Sequence, residues 1–324
     1  MVEVYEAYDM DIQSVGRGRG SVIVTTDKGI RQISPFAGTD ERLAEEKLFK
    51  DKMYEKGFCY VDRVVPNIEN ELITCDRYGN AYVMRQFFEG RECSPNNIRE
   101  LEKSVINLAQ LHRAGREIYL EENREYAGKA PGGIEKKLGE LRRIRNFVSK
   151  RNKKNDFELM YIKNFDYFYS QALACKRLYD EQFVRNDKWI GYCHGSYNYH
   201  SVLFCDGFIA TTNFDKFHVG YQLVDVYQFL RKALEKNDYD VSYARDILDS
   251  YSQIQQLGKE DYRFIYIMLS FPEKFWKISN RYMNLRKNYI SPVLMDKLTR
   301  VIEDEQQKSH ILSEFSNIYG LHNR

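Results

Sequence analysis

Several kinds of signal are missing from this sequence of 324 residues, and each absence excludes something. There is almost no net charge, +2 at neutral pH, so no global field draws the chain to nucleic acid or to an anionic membrane. There is no long apolar run. The most apolar short stretch, Phe264 to Phe271, falls far below the roughly 20 residues that cross a bilayer. Met1 to Met10 carries acids and no apolar segment, so no signal-type leader is expected and synthesis in the cytoplasm is. None of the six cysteines forms a C-x-x-C pair and the six histidines show no ligand spacing, which argues against a metal site and for scattered buried thiols in a reducing compartment. Repeats, low-complexity tracts and long linkers are absent too. What is plentiful is tyrosine: 25 residues, where an average chain would carry about 10. Half-buried helix packing with a polar tip is the ordinary use, and oxidative cross-linking of exposed tyrosines is the alternative.

The order of elements is mixed. Residues 1–90 read as mostly β. Asp11 to Val15, Ser21 to Thr26 and Ile30 to Phe36 suggest three strands, with a tight turn at Asp27-Lys28-Gly29. Between the first two lies Gly16-Arg17-Gly18-Arg19-Gly20, a hairpin that could lay amides over phosphates or simply be a hairpin. Thr39 or Asp40 can cap a helix to about Lys56, with Ala44/Leu48 and Phe49/Met53 as apolar i,i+4 pairs. Glu71 to Cys75 and Ala81 to Phe88 are further strand candidates, and Glu89-Gly90-Arg91-Glu92 breaks the pattern as a hinge. Beyond residue 95 the periodicity turns helical. Ile98, Leu101, Val105, Leu108 and His112 mark one face, with His112 as a helix-end packing residue. Ile134, Leu138, Leu141 and Val148 mark a second face; Phe157, Tyr161, Phe168, Ala172 and Cys175 mark a third. The stretch 135–154 holds nine Lys/Arg against two Glu, which reads as a solvated face or as a surface for an acidic partner. Two short β-like pieces, Trp189 to His194 and Val202 to Thr212, flank Gly195 to Ser201, and helix resumes from Val224.

That central stretch, Cys193-His194-Gly195-Ser196-Tyr197-Asn198-Tyr199-His200-Ser201, with Thr212-Asn213-Phe214-Asp215 behind it, resembles the core of the aminoglycoside/choline kinase-like superfamily. Within it the chain is similar to the CotS-like spore coat proteins through the glycine hairpin, Phe88-Glu89-Gly90-Arg91-Glu92-Cys93, Leu108-Ala109-Gln110-Leu111-His112, Asp225 to Lys232 and Phe271 to Lys277, in order along nearly the whole chain. The resemblance implies an α+β, bilobal protein kinase-like fold of the aminoglycoside phosphotransferase type. Residues 1–90 would form a small, mostly β N-lobe and residues 91–324 a large helical C-lobe.

Active members of that superfamily use H-G-D-x-x-x-x-N and a later I-D-F/W. The first Asp accepts a proton, the Asn and second Asp hold Mg²⁺, and a strand lysine steadies phosphates and pairs with a helix glutamate. On this template His194 and Gly195 keep the loop's shape, and Asp225 matches the aspartate that braces it. Ser196 stands at the base, Ser201 five residues on at the Asn, and Asn213, seventeen residues after Ser196, at the metal Asp. Ser34 falls near the strand lysine, with Arg31 and Gln32 as register neighbours, and the helix glutamate, Glu45 or Glu46, would lack its lysine. Asp215 could serve as a surrogate ligand or as a loop cap, and Gly16, Arg17, Gly18, Arg19 and Gly20 are the candidate phosphate loop. A hydroxyl does not take a proton at neutral pH, and losing a general base alone costs about 10²–10⁴ in rate. The expectation is a pseudokinase of spore coat assembly, binding other coat proteins, with no cofactor, metal, nucleic acid or membrane partner. The alternative is a divergent small-molecule phosphotransferase that uses ATP and Mg²⁺ through Asp215.

Overall fold

The computed structural model describes residues 2–18, 20–123, 126, 128, 130–285 and 292–321. A short helix, α1 (Val2–Glu6), precedes β1 (Ile12–Gly18), β2 (Ser21–Thr26) and β3 (Gly29–Pro35). β1 and β2 pair antiparallel up to Gly18 opposite Ser21, and β2 and β3 up to Thr26 opposite Gly29. The second turn is locked by one side chain: Thr26 Oγ1 accepts the Lys28 amide at 3.1 Å and donates to the Gly29 carbonyl at 2.7 Å. Gly29 takes φ +94°, a region that favours glycine.

α2 (Asp40–Glu55) starts at Thr39, whose hydroxyl accepts the Arg42 amide at 3.4 Å. Its buried face keeps the expected pair Phe49/Met53 and loses the pair Ala44/Leu48. Ala44 and Leu48 are exposed, whereas Leu43, Glu46, Phe49, Lys50 and Met53 are buried. The acid and the base on that face, Glu46 and Lys50, escape a search for apolar pairs.

β4 (Val64–Val65), β5 (Thr74–Cys75) and β6 (Ala81–Gln86) complete the sheet in the order β1-β2-β3-β6-β4, with β5 also on β6. The strand expected from Glu71 shrinks to two residues because Asn67 Oδ1 gathers the Glu69 and Glu71 amides into a turn. Val4 and Tyr8, in and just after α1, pack on Val24, Ile33 and Met84 of the sheet, a contact no periodicity in so short a helix announces.

Two compact units divide the chain, Met1–Arg124 with Gly191–Val219, and Glu125–Ile190 with Gly220–Arg324. The first adds β7 (Arg91–Glu92) and α3 (Ile98–Glu121). After β8 (Ile190–Cys193), it takes in the hairpin β9 (Val202–Phe204) and β10 (Ile209–Thr211). The residues expected to break the β pattern include Arg91 and Glu92, which instead pair with Phe204 and Leu203 of β9. β11 (His218–Tyr221) pairs with β8. His112 is buried, but in the middle of α3 and not at its end. One apolar cluster of the unit gathers Phe49, Met53, Leu111, Tyr192, Phe214 and Phe217.

The second unit is helical. α4 (Ile134–Ser149) and α5 (Asp156–Gln182) bury the two expected faces. α5 opens on a capping box: Asn155 accepts the Glu158 amide at 2.9 Å and Glu158 accepts the Asn155 amide at 3.0 Å. There follow α6 (Leu223–Leu234), α7 (Val241–Ser252), α8 (Lys259–Ser270), α9 (Glu273–Asn284), α10 (Pro292–Glu303) and α11 (Glu305–Ile318). Phe275 stacks between Tyr161 and Phe168 at ring distances of 5.2 and 4.3 Å. The basic stretch 135–154 is not wholly solvated: Lys137 pairs with Glu273 at 2.6 Å and Arg151 with Glu158 at 2.9 Å.

Tyr161, Tyr192, Tyr197, Tyr227 and Tyr251 are fully buried, deeper than the expected half-burial. Cys93, Cys175 and Cys193 are buried while Cys75 is exposed, so burial does not hold for every thiol. Desolvation pushes Cys93 up to about 11 and Cys175 up to about 12, which keeps both protonated and unreactive. Among the described residues no helix is long and apolar enough to cross a membrane.

Candidate functional site

The central loop leaves β8 at Cys193 and turns at Gly195, where φ is +78° and a Cβ would stand 2.0 Å from the Lys216 carbonyl. Only glycine fits there. His194 is buried; its Nδ1 lies 3.3 Å from the Ser196 amide and its Nε2 3.0 Å from the Thr212 carbonyl. That pattern assigns the ring proton to Nε2. His194 therefore bolts the loop to the strand behind it, with its ring 4.5 Å from that of Phe214.

Ser201 is buried, and its hydroxyl is spent inside the loop, donating to the Asn198 carbonyl at 2.8 Å and accepting the Asn198 amide at 3.0 Å. The Ser196 carbonyl accepts from Asn198 Nδ2 at 2.6 Å. Tyr197 anchors the loop to α3: its hydroxyl donates to the Ser104 carbonyl at 2.7 Å and accepts from Asn107 at 3.0 Å.

Beside this loop the first unit holds a cavity of about 450 Å³. Ser34, Arg42, Glu46, Arg85, Asn213 and Asp215 face it, along with Gln32, Asp62, Gly20 and Ser21. Of the glycine hairpin, Gly20 lines the cavity with φ +71°, while Gly16, Gly18 and the exposed Arg17 do not; Arg19 lies outside the described residues. Ser34 does stand on β3 at the cavity, and Gln32, directly opposite Arg85 on β6, donates to Ser21 Oγ at 2.8 Å. Arg31 bonds back to the Ile30 carbonyl at 2.9 Å and does not line the cavity.

Of the two candidate helix glutamates, Glu45 and Glu46, it is Glu46 that lines the cavity, and it does not lack a cation. Arg85 Nε and Nη2 reach its two oxygens at 3.1 and 3.2 Å, and Lys50 Nζ lies 2.6 Å from Oε1. The positive charge expected on β3 comes instead from the neighbouring strand and from the helix itself. Burial pulls the Glu46 carboxyl up, but Lys50 and Arg85 outweigh it and hold it below its ordinary range. Arg85 is raised because the attraction of Glu46 overcomes its own desolvation.

Asp62 is a second acid at the cavity, and motif spacing did not reveal it. Its Oδ1 lies 2.6 Å from Lys50 Nζ, and its Oδ2 accepts the Asn213 amide at 3.1 Å. Asn213 sits at φ +66°, a conformation asparagine tolerates better than most residues. Asp215 is exposed at the cavity, and its carbonyl, with that of Phe217, accepts from Arg42 Nη2, both at 3.0 Å. Asp225 lies buried in the first turn of α6, in the helical unit. The fold thus gathers Ser34, Asn213, Asp215 and Gly20 around one cavity and adds Glu46, Asp62 and Arg85. A charged i,i+4 pair, Glu46/Lys50, on the face that also carries Phe49 and Met53 was the signal available in the sequence. Among the described residues no group of three or more His, Cys, Asp or Glu side chains is placed to hold a metal ion.

The family described as "Spore coat putative kinase YutH" matches residues 2–315. No curated protein matches the chain. Among solved structures, an aminoglycoside phosphotransferase from Alicyclobacillus acidocaldarius superposes with a TM-score of 0.82 at 17% identity, covering 98% of this chain and 96% of that one. Spectinomycin phosphotransferase APH(9)-Ia, solved with ADP and spectinomycin, gives 0.68 at 12% identity, covering 93% and 95%. Amicoumacin kinase hAmiN, solved with AMP-PNP, Ca²⁺ and Ami, gives 0.61 at 13%, covering 94% and 90%. At these identities the likeness establishes the fold, the kinase-like aminoglycoside phosphotransferase type, with a mostly β antiparallel region and a helical region.

Proposed function

Since the chain belongs to the spore coat YutH family, we propose that it is a catalytically degenerate kinase-like protein that works in the spore coat by binding other coat proteins. The observation that carries this reading is the state of the cavity's charges. Lys50 and Arg85 engage Glu46, and Asp62 is ion-paired with Lys50 through Oδ1, which has no hydrogen-bond partner among the described residues, and accepts the Asn213 amide through Oδ2. Phosphoryl transfer relies on positioning and on carboxylates that hold a divalent ion. At the positions aligned with that machinery stand Ser196, Ser201 and Asn213, none of which carries a formal charge. Hard Mg²⁺ prefers carboxylates and phosphate oxygens, so this donor set fits it poorly.

A second reading rests on Asp215, whose exposed carboxylate faces the cavity beside Asn213. A divergent phosphotransferase would use it toward Mg²⁺ and ATP, with Gly20 and Ser21 at the phosphate end. Two measurements separate the readings. Thermal melts with ATP, with and without Mg²⁺, should not shift in the first reading and should rise in the second, further with Mg²⁺. A phosphotransfer assay over a broad acceptor panel should show no turnover; turnover that Asp215→Ala abolishes would end the degenerate reading.

A further inference from the structure

Lys50 has no exposed surface, and oxygens surround its ammonium. Glu46 Oε1 and Asp62 Oδ1 each lie 2.6 Å away, the Asp62 carbonyl lies 2.9 Å away, and the Phe214 ring centre stands at 4.8 Å. Three oxygens and a π-face make the shell of an ion, here filled by a side chain of the protein itself. Asp62 passes the restraint on through Oδ2, which holds the Asn213 amide at 3.1 Å, so the ammonium is one step from the turn that carries Asn213, Phe214 and Asp215.

We propose that Lys50 is a built-in cation: it binds Glu46 to Asp62, and through Asp62 it holds the Asn213 turn in the arrangement that a bound divalent ion would otherwise impose. The charges bear this out. Glu46 and Asp62 are balanced by Lys50 and Arg85, so removing Lys50 leaves one buried negative charge in excess. It also leaves a gap with two carboxylate oxygens 2.6 Å and one carbonyl oxygen 2.9 Å from its centre, a partial shell that water would complete for Ca²⁺, which takes about 6–8 oxygens. Lys50→Ala should therefore turn an ion-indifferent protein into an ion-dependent one.

The test needs no nucleotide, so its outcome is separate from that of the transfer assay: turnover bears on catalysis, ion dependence of the melt on Lys50. Wild type and K50A are melted in EDTA and in CaCl₂, with KCl matching ionic strength. The wild-type midpoint should be the same in all. K50A should melt about 5–10 °C lower in EDTA and regain part of that in CaCl₂, and K50A/D62N should regain none. A wild-type midpoint that rises with Ca²⁺, or a K50A that ignores it, overturns the proposal. Amide exchange of wild type gives a second arm should K50A not fold. Exchange at Asn213 should be slow and equal in EDTA and CaCl₂, and faster exchange in EDTA overturns the proposal equally.

Discussion

Lys50 in the first unit and Lys308 in the second are both lysines with a desolvated ammonium, and their surroundings differ in kind. Lys50 has carboxylate oxygens of two residues at 2.6 Å. Lys308, half-buried as a residue, reaches the Phe271 and Ser270 carbonyls at 3.2 and 3.5 Å, and among the described residues no carboxylate lies within ion-pair distance of it. Burial draws Lys308 below its ordinary range, more than Glu305 and Glu235 can offset from farther away. Carbonyl dipoles solvate a cation without balancing it, whereas formal charges do both. The first unit treats its lysine as structure, and the second tolerates its lysine as strain.

The contrast can be broken most directly at Lys50. Lys50→Met should destabilise the protein by about 3–5 kcal/mol, because it strands an acid in the interior. Urea unfolding measures this, and a loss below about 1 kcal/mol would remove the distinction between the lysines. Gly195→Ala should come next, at about 3 kcal/mol, since it combines a positive φ with the Lys216 carbonyl 2.0 Å from the new Cβ. Gly20→Ala is its control: φ is also positive, but nothing stands within 4 Å, and about 1 kcal/mol is expected.

The pH dependence sharpens the same comparison. Glu46 is held below the ordinary glutamate value of 4.5, so its contribution is complete above that pH and fades as the pH falls through the lower folded value. Melts between pH 6 and 3 should show the loss, and Glu46→Gln should flatten it. For Lys308 the sign reverses. Its folded value lies below 10.5, the unfolded chain holds the proton more tightly, and stability should rise as the pH climbs toward 10.5. The smallest loss is expected from Lys308→Met, which should leave stability unchanged or raise it by up to about 2 kcal/mol.

Much of the scaffold was legible from residues alone. Strands 21–26 and 81–86, the Thr39 cap, and the buried faces of α3, α4 and α5 follow from β-branched alternation, capping chemistry and helical spacing. The shape of the central loop was legible because His194 and Gly195 stand in an ordered motif. Of the cavity's charges, Glu46 and Asp215 were reached from the motif and the others were not. Lys50 sits on a face where apolar residues are sought, and Arg85 hides inside the apolar strand Ala81–Gln86. Asp62 lies between a two-residue strand and a bridge at Val61 that forms only with Thr211. A template that looks for a cation on β3 finds Ser34 and stops, because a charge carried by the next strand leaves no mark in spacing.

The first unit is assembled from two stretches of chain, with residues 125–190 made in between. Thr211 donates to the Tyr60 carbonyl at 2.8 Å, and Asn213 reaches Asp62 across 151 positions. On a ribosome adding about 5–20 residues per second, α2 is finished several seconds before the partners of Phe49 emerge. During that wait a nascent sheet and helix display Phe49 and Met53 to solvent. Newborn chains, more than mature ones, should therefore be the form that chaperones capture and that aggregates when translation stalls before Phe217.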